Sequence, residues 1–149
     1  MKVVKTIAVP CDIAFHRILE SGLYDVKKYV GYYPKVSELS GFEYEKKFQN
    51  KTSGKIRFDE VTEPSVYAFT SLLSKGSYQT RWEFRKVSEV GTEVTMTELP
   101  YAEGKFQQAQ ASLVGFLMSL LKKRSIRTVL EKIEQAYEEN AVASGDLEV

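Results

Sequence analysis

Lys46, Glu60 and Glu98 share the register of the large aromatics in a run of alternating segments. A charge on an apolar face must pair, reach water at a strand end, or serve a ligand, because burying it alone is strongly unfavourable. Glu98 is the first candidate for a general acid or base and Lys46 the second, and the chemistry they suit is proton transfer on a bound carbonyl compound. The competing reading is plain: each lies near a strand end, from which it reaches solvent. His16 is the single histidine and shares a helix face with Asp12 and Glu20. An Asp-His pair four residues apart can orient an imidazole, yet no nucleophile stands beside it, so it reads as a solvated helix-face residue. Cys11 is the only cysteine, which rules out an intramolecular disulfide and leaves no ligand set for structural zinc. No glycine-rich phosphate loop is present, and no cofactor is expected.

The elements that position these residues follow from periodicity. Lys2 to Val9 is rich in β-branched residues and stops at Pro10, as a strand closed by a turn does. From Asp12, a plausible N-cap, Ile13, Phe15, Ile18, Leu19 and Leu23 recur at helical spacing. Gly22 is expected to divide this stretch into two short helices, the second reaching Gly31. A loop, Gly31-Tyr32-Tyr33-Pro34-Lys35-Val36, follows, and its tyrosines are expected at the mouth of any pocket. Five runs of period two then succeed one another from Phe42 to Pro100, joined by short turns, which predicts an antiparallel meander. Phe58, Tyr78, Trp82, Phe84 and Met96 face inward. The third run, Val66 to Leu73, is apolar on both sides, so either Tyr67 and Phe69 or Val66 and Ala68 join them.

A helix is expected from about Phe106 to Glu138, too long at 1.5 Å per residue to lie wholly on a small core. In its second half Ile126, Leu130, Ile133 and Tyr137 form an amphipathic stripe. Traced back one turn at a time, that stripe meets Lys122, Ser119, Gly115, Ser112 and Gln108, a small and polar seam beside the apolar Val114, Phe116, Met118, Leu120 and Leu121. Large aromatics opposite such a seam leave apolar space with a few hydroxyls and amides, the composition of a ligand pocket. The alternative is that the small residues let helix and sheet close on each other and leave a dry core. The candidate ligand-binding set is Phe58, Tyr67, Phe69, Tyr78, Thr80, Trp82, Met96, Gln108, Ser112, Gly115, Phe116 and Ser119.

Composition bounds the classes. Twenty-one basic and twenty acidic residues, interspersed, give a net charge of +1 and disfavour a phosphate-neutralising nucleic-acid face. The apolar stretch Leu113 to Leu121 is far short of the roughly 20 residues that span a bilayer. Lys5 interrupts the short apolar stretch before Cys11, so no signal segment is read. A cytoplasmic location, a single domain over residues 1–140 and a flexible tail over 141–149 are expected.

The order of strand, helices, five-strand meander and long terminal helix resembles the helix-grip superfamily (SRPBCC), which includes START lipid-transfer domains, the birch-pollen allergen family and bacterial polyketide cyclase-like proteins. The residues that carry the resemblance are Thr6-Ile7-Ala8-Val9-Pro10 running into Ile13 to Leu19, the Tyr33-Pro34-Lys35-Val36 loop, and the terminal helix. The chain is similar in particular to a small streptococcal family described as cyclase-like. The resemblance implies an α+β fold in which a curved antiparallel sheet of about six strands grips the last helix. Two departures stand: the superfamily often has six strands after the helices where five are counted, and no fixed cyclase or aromatase residues can be carried over. The leading expectation is a non-catalytic protein that binds a small hydrophobic or aromatic ligand, lipid or polyketide-like. A cyclase or lyase using Glu98 or Lys46 is the first alternative, and an interaction module or homodimer built on the apolar first half of the last helix is the second.

Overall fold

The structure, a computed structural model, describes residues 1–48, 52–74, 76–100 and 113–144. Strand β1 (Lys2–Ile7) leads through Pro10 into helix α1 (Cys11–Val30), and a 3-10 turn (Val36–Glu38) precedes β2 (Glu43–Lys47). There follow β3 (Ser53–Thr62), β4 (Val66–Leu73), β5 (Gly76–Ser88) and β6 (Gly91–Pro100), then helix α2 (Leu113–Ser144). The strands form one curved sheet in the order β1-β6-β5-β4-β3-β2, every neighbour antiparallel. The short turns between successive strands make the meander. β1 joins it beside the last strand, with Val3 opposite Met96 and Ile7 opposite Thr92.

Helix α1 is one continuous element, not two. Gly22 lies inside it because the helix passes against β4 there: a Cβ on Gly22 would stand 2.2 Å from the Tyr67 hydroxyl. The glycine marks a close approach rather than a break. The N-cap is Pro10, whose φ of −56° suits the position, and Asp12 sits in the first turn, where its charge faces the helix's positive end. The helix stops at Gly31, whose φ of 95° is a left-handed conformation that glycine adopts without cost; its N–H donates to Lys27 O at 2.9 Å.

Phe15, Ile18, Leu19 and Val26 of α1 are buried against the inner face of the sheet, where Phe58, Phe84, Val94 and Met96 are buried in turn. Phe15 meets Phe84 edge-on at 5.5 Å. Each such aromatic or aliphatic side chain contributes about 1.5–3 kcal/mol by leaving water. Leu130 of α2 is buried in the same cluster, flanked by Ile126, Ile133 and Tyr137, so the amphipathic stripe expected from the sequence is the face that α2 lays on the core. Helix α2 runs on through Ser144, and Ala141 is buried, so the first residues of the stretch expected to fray are helical. Residues 145–149 lie outside the described residues.

On the outer face of the sheet, Thr70 and Ala68 are fully buried beneath their neighbours' polar side chains. Asp59 accepts hydrogen bonds from Thr70 Oγ1 (2.5 Å), Arg57 Nε (2.9 Å) and Gln79 Nε2 (3.1 Å). The register between β3 and β4 slips between Phe58 and Glu60, a β-bulge that leaves Asp59 unmatched. The bulge sends Glu60 to this outer face, where Arg81 Nη1 lies 3.3 Å from its carboxylate. Counted by strict alternation Glu60 should point inward, and the extra residue reverses that parity.

Candidate functional site

Between the inner face of the sheet and the two helices lies a cavity of about 1170 Å³. Its floor is laid down by the register of three strands. Tyr67, Trp82 and Met96 stand side by side across β4, β5 and β6, followed by Phe69, Thr80 and Glu98, and then by Ser71 and Tyr78. The face of β4 left open by the sequence is therefore the one bearing Tyr67 and Phe69. Helix α1 supplies one wall through Ser21, Gly22, Asp25 and Tyr29, residues one helical turn apart. Tyr44, Lys46 and Phe48 close the side toward β2, and Lys122 and Ile126 of α2 complete the opposite side.

Two charged clusters face each other across this space. Asp25 accepts a short hydrogen bond from the Tyr44 hydroxyl and pairs with Lys46 Nζ at 2.9 Å. The Lys46 ammonium also lies 5.0 Å from the Phe48 ring centroid and 5.7 Å from that of Tyr29, positions from which a ring face attracts a cation. Glu98, only 8% exposed, pairs with Lys122 Nζ, which lies 5.4 Å over the Tyr78 ring. Burial pushes the Tyr67 hydroxyl above its ordinary ionisation range, helped by the Asp25 charge. Burial does the same for Tyr44, together with its hydrogen bond to Asp25. Both phenols are held neutral and protonated.

Of the residues singled out from the sequence, Tyr67, Phe69, Tyr78, Thr80, Trp82 and Met96 line the cavity, as do Lys46 and Glu98. Phe58 does not. It is fully buried, stacked on Tyr67 at 5.9 Å and packed against Phe42 and Tyr44, because the segment leading into β2 is bonded along it: Gly41 N–H donates to Phe58 O and Phe58 N–H to Phe42 O. Gln108 and Ser112 lie outside the described residues, as do the side chains of Gly115, Phe116 and Ser119. Tyr32 and Tyr33 do not line the cavity: both are about half exposed, and Tyr33 packs edge-on against Tyr24. His16 takes a 2.7 Å hydrogen bond with the backbone oxygen of Asp12 and stands 3.5 Å from the Glu63 carboxylate, away from the cavity. Asp25 and Tyr29 were missed, although Gly22, Asp25 and Tyr29 recur at helical spacing; dividing the helix at Gly22 hid the stripe.

Among the described residues no group of three or more His, Cys, Asp or Glu side chains is placed to hold a metal ion. No helix among them is long and apolar enough to cross a membrane.

The model of a domain family described as a domain of unknown function, DUF3284, matches residues 1–119. No curated protein matches the sequence. Similar solved structures include Ara h 8.0201, 14% identical with a TM-score of 0.58 over 91% of this chain and 95% of that one. A conserved protein from Geobacillus kaustophilus is 11% identical, with a TM-score of 0.59 over 93% of this chain and 94% of that one. The di-domain ARO/CYC protein StfQ from the steffimycin biosynthetic pathway is 14% identical at a TM-score of 0.52, over 94% of this chain and 45% of that one. At such identities the likeness is one of fold, and the fold is the helix grip.

Proposed function

Since the chain belongs to the DUF3284 family and folds as a helix grip, we propose that it binds a small apolar or aromatic molecule, lipid or polyketide-like, between the sheet and its two helices. The observation that carries this reading is the cavity of about 1170 Å³ floored by Tyr67, Phe69, Trp82 and Met96. The space opens to solvent, as a site that a small molecule enters must. Its volume is slightly above the roughly 300–1,000 Å³ of small-molecule sites, and its floor of aromatic rings with a few convergent polar groups is of their kind. A bound ring would pack against the partly exposed Phe69 and Tyr78, over the largely buried Trp82 and Tyr67. The fold shared with an ARO/CYC protein supports a ligand of this class. A reducing, cytoplasmic setting suits the single Cys11.

Trp82 is the chain's only tryptophan and lies on the cavity floor. Titration with the apolar dye N-phenyl-1-naphthylamine is expected to quench Trp82 emission while the dye's own emission rises, with saturation at one dye per chain. A dye that leaves Trp82 emission unchanged to its solubility limit would refute the reading. Native mass spectrometry of protein purified from its own host is the direct route to the ligand.

A catalytic reading retains one specific observation: Glu98 and Lys46 both line the cavity. In that reading Glu98 moves a proton on a bound carbonyl compound, with Lys122 holding the carboxylate in place. Turnover of a ligand recovered from the host, abolished in Glu98→Gln, would favour it.

A further inference from the structure

We propose that Glu98 makes the cavity selective for an apolar ring that carries its own hydrogen-bond donor, a hydroxyl or N–H aimed at the Glu98 carboxylate. The inference rests on the binding reading above and adds the chemical class of the ligand.

Glu98 projects from β6 directly opposite Thr80, on a floor that carries Tyr67, Phe69, Trp82 and Met96 beside the hydroxyls of Ser71, Tyr78 and Thr80. It is 8% exposed, and its Oε2 is sealed from solvent and in contact with Lys122 Nζ. Lys122 is the one side-chain cation paired with its carboxylate among the described residues, while the Met1 ammonium donates to its backbone oxygen at 3.0 Å; the Lys122 side chain is 43% exposed, so water competes for its ammonium. A carboxylate offers about four acceptor positions. One ammonium on Oε2 does not occupy them all, and Glu98 lines the cavity.

An occupant of the cavity therefore has to reckon with Glu98. A hydrocarbon displaces whatever water solvates the carboxylate and returns nothing, which loses affinity. An anionic head set against Glu98 itself meets like charge, although Lys28, Lys46 and Lys47 elsewhere in the lining would attract it. A ring hydroxyl or N–H donates to the carboxylate and regains a charge-assisted bond. Sites built to bond a hydroxyl discriminate strongly against analogues that lack it, since the buried polar group is then left alone.

The test uses 9-phenanthrol and 9-methoxyphenanthrene, which share a ring and an oxygen but differ in the donor, each competing against N-phenyl-1-naphthylamine. The wild-type protein is expected to bind the phenanthrol about tenfold or more tightly than its methyl ether, the scale of a hydrogen bond to a charged group. In Glu98→Leu the two should bind within about twofold of each other. In Lys122→Met the preference should persist, because the acceptor is still present. If Glu98→Leu does not fold, the isosteric Glu98→Gln carries the test through a smaller preference. Equal wild-type affinities with the dye displaced, a preference undiminished in the Glu98 variants, or its loss in Lys122→Met would overturn this inference and leave the binding reading standing. Failure of the dye and both phenanthrenes to bind would overturn the binding reading, and this inference with it.

Discussion

Asp59 stands at the interior residue of β3 that the pairing with β4 skips, and its carboxylate holds that irregularity in place. Burial alone would push its ionisation upward. The hydrogen bonds from Thr70, Gln79 and Arg57, with the Arg57 charge beside it, outweigh burial and hold it below the usual carboxylate range. A carboxyl depressed in the folded state stabilises the fold above its unfolded value of about 3.9, and that stabilisation is lost as pH falls through the folded value. Asp59→Asn is therefore expected to cost about 1–3 kcal/mol at pH 7 in urea unfolding. The gap to the wild type should narrow as the pH is taken from about 5 toward 2. A gap that stays constant across that range would contradict the assignment. The same bulge turns Glu60 away from the cavity and so fixes which carboxylates a ligand meets. Period-two counting along Phe58, Asp59 and Glu60 has no means of showing it, because a bulge adds a residue without altering composition.

Helix α1 is the element whose placement decides the shape of the site, and Gly22 decides how closely it approaches β4. A methyl group there would meet the Tyr67 hydroxyl at 2.2 Å and Cζ at 3.2 Å. Gly22→Ala gains up to about 1 kcal/mol of helix propensity but forces the buried Tyr67 ring to shift, a strain of about 1–3 kcal/mol. The net expectation is destabilisation. In a Tyr67→Phe background most of the clash is absent, so the same substitution should become neutral or stabilising, a coupling that a double-mutant cycle in urea reads directly. Additive effects would show that the two residues do not press on each other. The strands were legible from alternation, since Tyr78, Thr80, Trp82 and Met96 all fall inward as counted. The stripe of Ile126, Leu130, Ile133 and Tyr137 was legible too, because one face of a helix must be buried. Gly22 was not, because a glycine that ends a helix and one that lets another chain segment approach are identical in sequence. The wall contributed by Asp25 and Tyr29 was lost with it.

At the scale of the whole molecule, the choice between pocket and dry core could not be made from residue types, since it depends on how far the helices stand from the sheet. That distance is set by contacts well away from the cavity: Phe15 on Phe84, Leu130 in the shared cluster, and Phe58 stacked behind Tyr67. These contacts seat the helices on the sheet beside the cavity, and the side chains lining it forgo dispersion partners that a packed core would give them. An apolar occupant restores those contacts only in the folded state, so binding and stability are linked. Protein freed of small molecules by unfolding and refolding should melt below protein taken from its host with a ligand in place. With N-phenyl-1-naphthylamine at about 100 times its Kd, the gain is about 2.7 kcal/mol. For a chain of 149 residues that corresponds to a rise in Tm of about 5–10 °C by scanning calorimetry. A dye that fluoresces on mixing yet leaves the transition where it was would be bound outside the fold's interior, and the cavity would then need another occupant to explain why it is held open.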